Sequence, residues 1–225
     1  IQFLIEKNQL AQAELPLRDL IATCQGEIGK SLTPACVDLL QKLHSAKQDA
    51  VAFNLFQAGL AILQNNPVAL YLAGSACHRL NKTDSAIEYL SKAIDRSPAL
   101  PDPYLALGDV YAPDQPRKAA TYYFQYHDRS SSVVGIKTFI KRMRSLLQAN
   151  AEALPCKEIP LAFIGNFPME PLQPYLEAEC LKRFIQPRFF FGGYDQYIQE
   201  MTDPKSGLYT FDPLLTFLFL ECQTF

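Results

Sequence analysis

The chain has 225 residues, 48% of them apolar, and a formal net charge of −2. That is length for one large domain or two modest ones, each with a real core, and the missing basic excess excludes a general nucleic-acid binder. No apolar run nears the roughly 20 residues of a membrane-spanning helix, since the longest, 214–220, has only strand length. No basic n-region precedes "IQFLI", so no secretory signal is expected, and Ile1 in place of Met suggests that the natural start was lost. Cys24, Cys36, Cys77, Cys156, Cys180 and Cys222 form no C-x-x-C pair and have no His partner at metal spacing. They read as small buried side chains in a reducing cytoplasm rather than a disulfide framework. His44, His78 and His127 all fall in helical patterns, where a structural or surface role outweighs metal ligation.

In chain order, Leu17, Leu20, Ile21 and Cys24 follow the i, i+3, i+4, i+7 pattern of an amphipathic helix, with Pro16 at a first-turn position. Thr33-Pro34 reads as an N-cap followed by the first helical residue, with Val37, Leu40 and Leu43 on one face behind it. Then a repeat emerges. In "ALYLAGSACHRLNKTDSAIEYLSKAIDRSP", Gly74 falls in one helix, Ala86, Leu90 and Ala93 in the next, and Pro98 follows. The pattern returns one period later as Gly108, Ala120, Phe124 and His127, and one period earlier as Ala52, Phe56 and Gly59. Antiparallel helices approach closely only where side chains are small, while Leu90 or Phe124 fills the hole between neighbours. No such pair buries its apolar face alone, so the pairs stack.

This period and these residue types resemble the tetratricopeptide repeat (TPR). Residues 67–100 make a strong repeat, 101–134 a good one with its first helix cut short by Pro113, and 33–66 a degenerate one with Leu40 at the glycine position. The resemblance implies a concave surface lined by the first helix of each pair. Tyr71, Ser75, His78 and Arg79 would point there, with Leu105 and Asp109 from the next unit. It also implies a protein or peptide partner. The Lys and Asn residues with which the best-known members clamp a C-terminal carboxylate are absent, so no chaperone-tail binder is expected. The concave face could equally pack on the next domain.

After Ser130-Ser131-Ser132, a further helix holds Ile136, Phe139, Ile140, Met143 and Leu147. Its other face carries Lys137, Lys141, Arg142 and Arg144 and is either a solvated surface or a basic docking face for an acidic partner. "LPCKEIP" is a linker, with Pro155 and Pro160 barring a helix. The domains are therefore expected at 1–150 and 157–225. Beyond the linker, strands alternate with helices. Ile159 to Ile164 has strand length, Leu172, Tyr175, Leu176 and Cys180 form a helical stripe, and "RFFFGGY" ends a second strand in glycines. "DQYIQEM" is a short helix and "LLTFLFL" a third strand. Continuous apolar strands with helices between them predict a parallel sheet covered on both faces. Loops at strand carboxyl ends form the ligand crevice of such sheets, which singles out Gly165, Asn166 and Phe167, with Gly192 and Gly193. Asn166 could offer an amide to a ligand or simply hold a turn. No phosphate-binding glycine motif and no G-x-S-x-G elbow is present.

The stretches "IPLAFIGNFPMEPLQPYLEA" and "FFFGGYDQYIQEMTDPKSGLYTFDPLLTFLFL" resemble the amino-terminal domain of FkbH-like proteins. The match is carried by Tyr194-Asp195-Gln196-Tyr197, Asp203-Pro204, Ser206, Leu208-Tyr209, Phe211 and Pro213. It implies a flavodoxin-like or SGNH-like fold, continued in a parent protein by a haloacid-dehalogenase-like (HAD) domain that uses an Asp-x-Asp motif with magnesium. Such bacterial parents transfer a glyceryl or acyl unit to an acyl carrier protein. No D-x-D occurs in this chain, and Asp84, Asp95, Asp102 and Asp109 lie on repeat helices. Phe167 stands where an SGNH hydrolase has its serine. The expectation is an α-helical TPR-like solenoid followed by a partial α/β domain, with no catalytic residue, metal or cofactor of its own. Three strands are few for a doubly wound domain, which suggests a piece of a longer protein or a sheet completed by a second copy. Two functions are compatible with these residues: a partner-docking segment of an FkbH-like enzyme, or a non-enzymatic TPR adaptor whose α/β domain serves assembly.

Overall fold

The computed structural model describes residues 27–221. The helix expected around Leu17 to Cys24, with Pro16, and Cys222 lie outside the described residues. Contacts divide the chain into two compact units, one ending at Arg129 and the other beginning at Ser130.

The first unit is built of helix pairs. α1 (Glu27–Ser45) pairs with α2 (Asp49–Ala58), which continues past Gly59 as α3 (Leu60–Leu63). α4 (Pro67–Arg79) pairs with α5 (Thr83–Arg96), and α6 (Asp102–Tyr111) with α7 (Pro116–Arg129). These pairs fall on the three repeats predicted at 33–66, 67–100 and 101–134. The expected start at Thr33-Pro34 is corrected, because α1 already runs through it and Pro34 lies inside the helix. One missing N–H does not end a helix whose next turns bury Cys36, Leu39, Leu40 and Leu43. α4 starts as its sequence suggests: Asn66 caps it by accepting from Ala69 N at 3.0 Å, with Pro67 in the first turn. α6 ends two residues before Pro113.

The period is visible in the backbone itself. Lys47 and Asn81, one repeat apart, both adopt left-handed φ values of 56° and 58°. Each is followed by a residue whose N–H reaches back to the carbonyl five positions earlier, Gln48 to Leu43 and Lys82 to Cys77, both at 2.9 Å. That is the Schellman closure of a helix end, repeated at the same corner of successive pairs.

Within the pairs, glycine sets the approach. A Cβ on Gly74 would lie 2.6 Å from Leu90 Cγ, and Leu90 is fully buried. A Cβ on Gly108 would run into the Tyr123 ring. The hole-filling role expected of Phe124 therefore belongs to Tyr123. α7 is turned so that Ala119, Ala120, Tyr123 and Tyr126 are buried, and Phe124 is left half-buried. Tyr123 can lay its ring across the glycine and still donate its hydroxyl to Asp109 Oδ1 at 2.7 Å, a bond phenylalanine lacks.

The second unit opens with α8 (Val133–Ala149), N-capped by Ser132, whose hydroxyl accepts from Gly135 N at 3.0 Å. The expected division at residue 150 assigned this helix to the repeats. Here it groups with the sheet, because its stripe of Ile136, Phe139, Met143 and Leu147 is buried and the helix packs on α9 (Gln173–Leu181). β1 (Lys157–Gly165), β2 (Ile185–Phe191) and β3 (Leu215–Phe219) form a parallel sheet of order β2-β1-β3. A 3₁₀ turn (Glu170–Leu172) and α9 connect β1 to β2; α10 (Tyr197–Thr202) and α11 (Gly207–Phe211) connect β2 to β3. β1 begins at Lys157, inside the expected linker, and Pro160 lies within the strand, as in the expected run from Ile159 to Ile164. The strand tolerates it because Pro160 O accepts from Leu214 N at 2.9 Å while the ladder to β3 begins only at Leu161, so no partner carbonyl is left waiting for the missing donor.

One face of the sheet packs Leu161, Phe163 and Met169 with Leu176 and Phe189; the other packs Ala162, Ile164 and Leu208 with Phe190 and Tyr197. Cover on both faces, as predicted, thus holds for β1 and β2. It fails at β3, all of whose residues are exposed, with Leu215 at 53% and Phe219 at 41%.

Candidate functional site

Two regions compete: the surface shared by the first helices of the pairs, and the carboxyl edge of the sheet. Tyr71 of α4 is the centre of the first. Its ring lies 5.9 Å from the His44 ring of α1, and Ser75 and the Asp102 and Asp109 carboxylates of α6 lie near enough to act on its phenol. Burial pushes the Tyr71 phenol above its ordinary value, reinforced by Asp102 and opposed by Ser75 and Arg79. Three successive first helices therefore converge on one side chain. Ser75 is buried, while Tyr71, His78, Leu105 and Asp109 are half-buried. Arg79, at the end of α4, donates from Nε to Asp49 Oδ1 at 2.7 Å and also pairs with Asp49 through Nη2. The same Nη2 stands 2.7 Å from His44 Nδ1. The sequence pointed to Tyr71, Ser75, His78, Arg79, Leu105 and Asp109 but missed His44 and Asp49. The available signal was the repeat itself, since His44 and His78 are one period apart.

At the sheet edge, the predicted loop residues serve the chain's own backbone. Asn166 Nδ2 donates to Glu221 O at 3.1 Å and its Oδ1 accepts from Glu221 N at 2.7 Å. The amide thus continues the β1–β3 ladder by one side-chain rung, and both of its polar atoms are spent on holding the turn. A Cβ on Gly165 would run into Phe219 O, which makes this glycine a requirement of strand approach. Phe167 packs edge-on to Phe219, with ring centres 6.4 Å apart, and Gly192 N donates to Phe163 O at 2.9 Å. Gly193 opens the exposed turn ahead of α10.

The Tyr194–Pro213 motif also does structural work. Asp203 Oδ1 accepts from Lys205 N at 2.9 Å, Ser206 donates to Glu200 O at 2.8 Å, and Tyr209 donates to Met201 O at 2.8 Å. Glu200, overlooked in the sequence, accepts from Leu208 N at 2.9 Å. Phe211 stacks on Phe190 with centres 5.6 Å apart. These bonds fold α10 and α11 into a cap on the back of β1 and β2.

The basic helix α8 resolves unevenly. Lys137 and Lys141 are exposed and Arg142 is half-buried. Arg144 turns to α9, where its Nε meets Glu177 Oε1 at 2.6 Å. Glu177 is 5% exposed; burial pushes its carboxyl above the usual range and Arg144 pulls it back. Part of the expected docking face is thus engaged within its own unit. A groove of ≈ 740 Å³ in this unit is lined by Arg144, Leu147, Leu154, Cys156, Leu181 and Gln186, and it pairs no nucleophile with a base. Among the described residues no three His, Cys, Asp or Glu groups gather as a metal site. No described helix is long and apolar enough to cross a membrane.

No family model matches the chain and no curated protein matches it. Solved structures similar to it include the first TPR domain of Spaghetti (RPAP3) bound to the HSP90 peptide SRMEEVD. It is 18% identical, with a TM-score of 0.46 over 55% of this chain and 96% of that one. They also include a mutant O-GlcNAc transferase from Thermobaculum terrenum, 13% identical, with a TM-score of 0.45 over 86% of this chain and 42% of that one.

Proposed function

We propose that the helix pairs form a scaffold that holds a protein or peptide partner along the surface around Tyr71. The observation that supports this is the convergence of α1, α4 and α6 on that residue, which leaves Tyr71, His78, Leu105 and Asp109 half-buried. Half-buried aromatic, aliphatic and polar groups on rigid helices give a partner apolar area and directional bonds while little side-chain freedom is left to lose. Peptides selected from an extended-peptide library and titrated against the protein test the assignment. Leu105→Lys, which places a charge on this surface, is expected to weaken binding at least tenfold, whereas Lys92→Ala on α5 leaves it unchanged. Equal affinities for both variants would refute the assignment.

The finer reading places this chain in an FkbH-like parent, with an acyl carrier protein as the partner and HAD chemistry, using magnesium, supplied elsewhere in that parent. It rests on the Tyr194–Pro213 motif and is supported by the open edge of β3, which is suited to a further strand. An assembly-only adaptor is the competing reading. Purified carrier protein in the same titration separates the two, since binding in its acylated form alone favours the parent enzyme. No binding in either form favours the adaptor.

A further inference from the structure

We propose that His44, Arg79 and Asp49 form an acid-sensitive latch that joins the first helix pair to the second. The three residues come from three elements: His44 from the end of α1, Asp49 from the start of α2, and Arg79 from the end of α4. Arg79 Nη2 stands 2.7 Å from His44 Nδ1, and Nη1 stands 3.5 Å from Nε2. A guanidinium only donates. His44 can accept from it at Nδ1 only as a neutral imidazole with the proton on Nε2. Protonation at Nδ1 sets two donors and two positive charges against each other at that separation, and the contact must open.

The groups facing the imidazole fix the sign. From α4 come the Arg79 guanidinium and the Tyr71 ring; from α2 comes the Asp49 carboxylate; on α1 itself Lys42 is engaged with Asp38 at 2.9 Å. Burial is the largest influence and, with Arg79, holds His44 below its ordinary value; Asp49 opposes them but is already committed to Arg79. The unfolded chain therefore binds this proton at a higher pH than the folded one. The latch's contribution is complete above the ordinary histidine pKa of about 6.5 and declines as pH falls toward the lowered folded value. Because Tyr71 leans on His44, opening the latch also alters the surface proposed to hold a partner. The inference rests on the same surface as that reading, but its test needs no partner.

Hydrogen exchange on the full chain at pH 7.5 and pH 5.5, corrected for intrinsic rates, reads the latch directly. Amides of α1 and α2 are expected to open more at the lower pH, by up to about tenfold per pH unit within the window, relative to amides of α5. In His44→Gln, which keeps an acceptor and cannot be protonated, the excess opening disappears. In Arg79→Gln, which removes the opposing charge, it shrinks as well, so the reasoning survives a failure of the first variant to fold. Equal pH dependence in wild type and both variants, or none in wild type, would overturn the latch.

Discussion

Gly74→Ala tests the central packing claim of the helix array. The added Cβ would stand 2.6 Å from Leu90 Cγ, 2.9 Å from Cδ2 and 3.2 Å from the Leu90 backbone nitrogen. Leu90 is fully buried, and its Cγ is not the free end of a flexible chain, so α4 and α5 must separate or Leu90 must leave its rotamer. Overpacking of this kind costs about 1–3 kcal/mol. Alanine returns about 1 kcal/mol through its better helix propensity; because the clash meets both side chain and backbone, the upper end of the range applies, a net loss of about 2 kcal/mol. For a unit of this size that is a fall in Tm of roughly 10 °C, measurable by circular dichroism together with the urea midpoint. The cycle is completed in a Leu90→Ala background, which alone costs about 2–5 kcal/mol. There the two shortest contacts are gone and only the 3.2 Å approach to the backbone nitrogen remains, so the same change is expected to be close to neutral. If Gly74→Ala destabilises equally in both backgrounds, helix approach is not what this glycine serves.

Asn166→Ala removes both bonds to Glu221 and is expected to cost about 1–2 kcal/mol; it shows as faster exchange of β3 amides, and unchanged exchange would refute the rung. Glu177→Gln reports on the buried carboxyl, whose pKa burial raises above its ordinary 4.5. The folded protein keeps this proton after the unfolded chain has lost it. Its contribution to stability is therefore full below about 4.5 and declines as pH rises to the folded value. The glutamine variant flattens that part of the urea-midpoint profile, and an unaltered slope would contradict it. Leu218→Lys, on the 45% exposed Leu218 of β3, is expected to reduce concentration-dependent association in sedimentation velocity without altering circular dichroism.

The repeat was legible because it depends on local chemistry. Asn66-Pro67 starts α4, Pro113 limits α6, and glycines recur where helices touch. The aromatic partner of Gly108 was misplaced by one residue, since a strict period points to Phe124 while Tyr123 gains a hydroxyl bond to Asp109. Periodicity counts apolar residues and does not weigh a phenol's need for an acceptor. Pro34 misled for a related reason: a first-turn proline and an interior proline look alike until the turns around them are known to be buried. The order of strands and helices in the second unit was readable from composition, but the destination of α8 was not. Its stripe suits a repeat helix as well as α9, and the contacts that place it, its packing on α9 and the Arg144–Glu177 pair, join residues far apart in sequence. Asn166 stands at the sheet edge where the strand pattern put it, yet its bonds run to the distant Glu221, beyond any local pattern.

The two units differ in what an open end asks of the surrounding chain. A helix satisfies its own backbone, so a helix pair without a neighbour leaves apolar side chains uncovered but no unpaired ladder, and a terminal pair with a polar outer face closes the array. A strand does not satisfy its own backbone. β3 pairs with β1 along one side and, among the described residues, with no strand along the other, while Leu214, Leu215, Phe217, Leu218, Phe219 and Leu220 are each at least 39% exposed. Such an edge has the backbone geometry to which an added strand can pair. Glu221 is held by Asn166 at the carboxyl end of the ladder, which fixes that end of β3. Fixing an edge in this way lowers the entropic cost of pairing a strand with it.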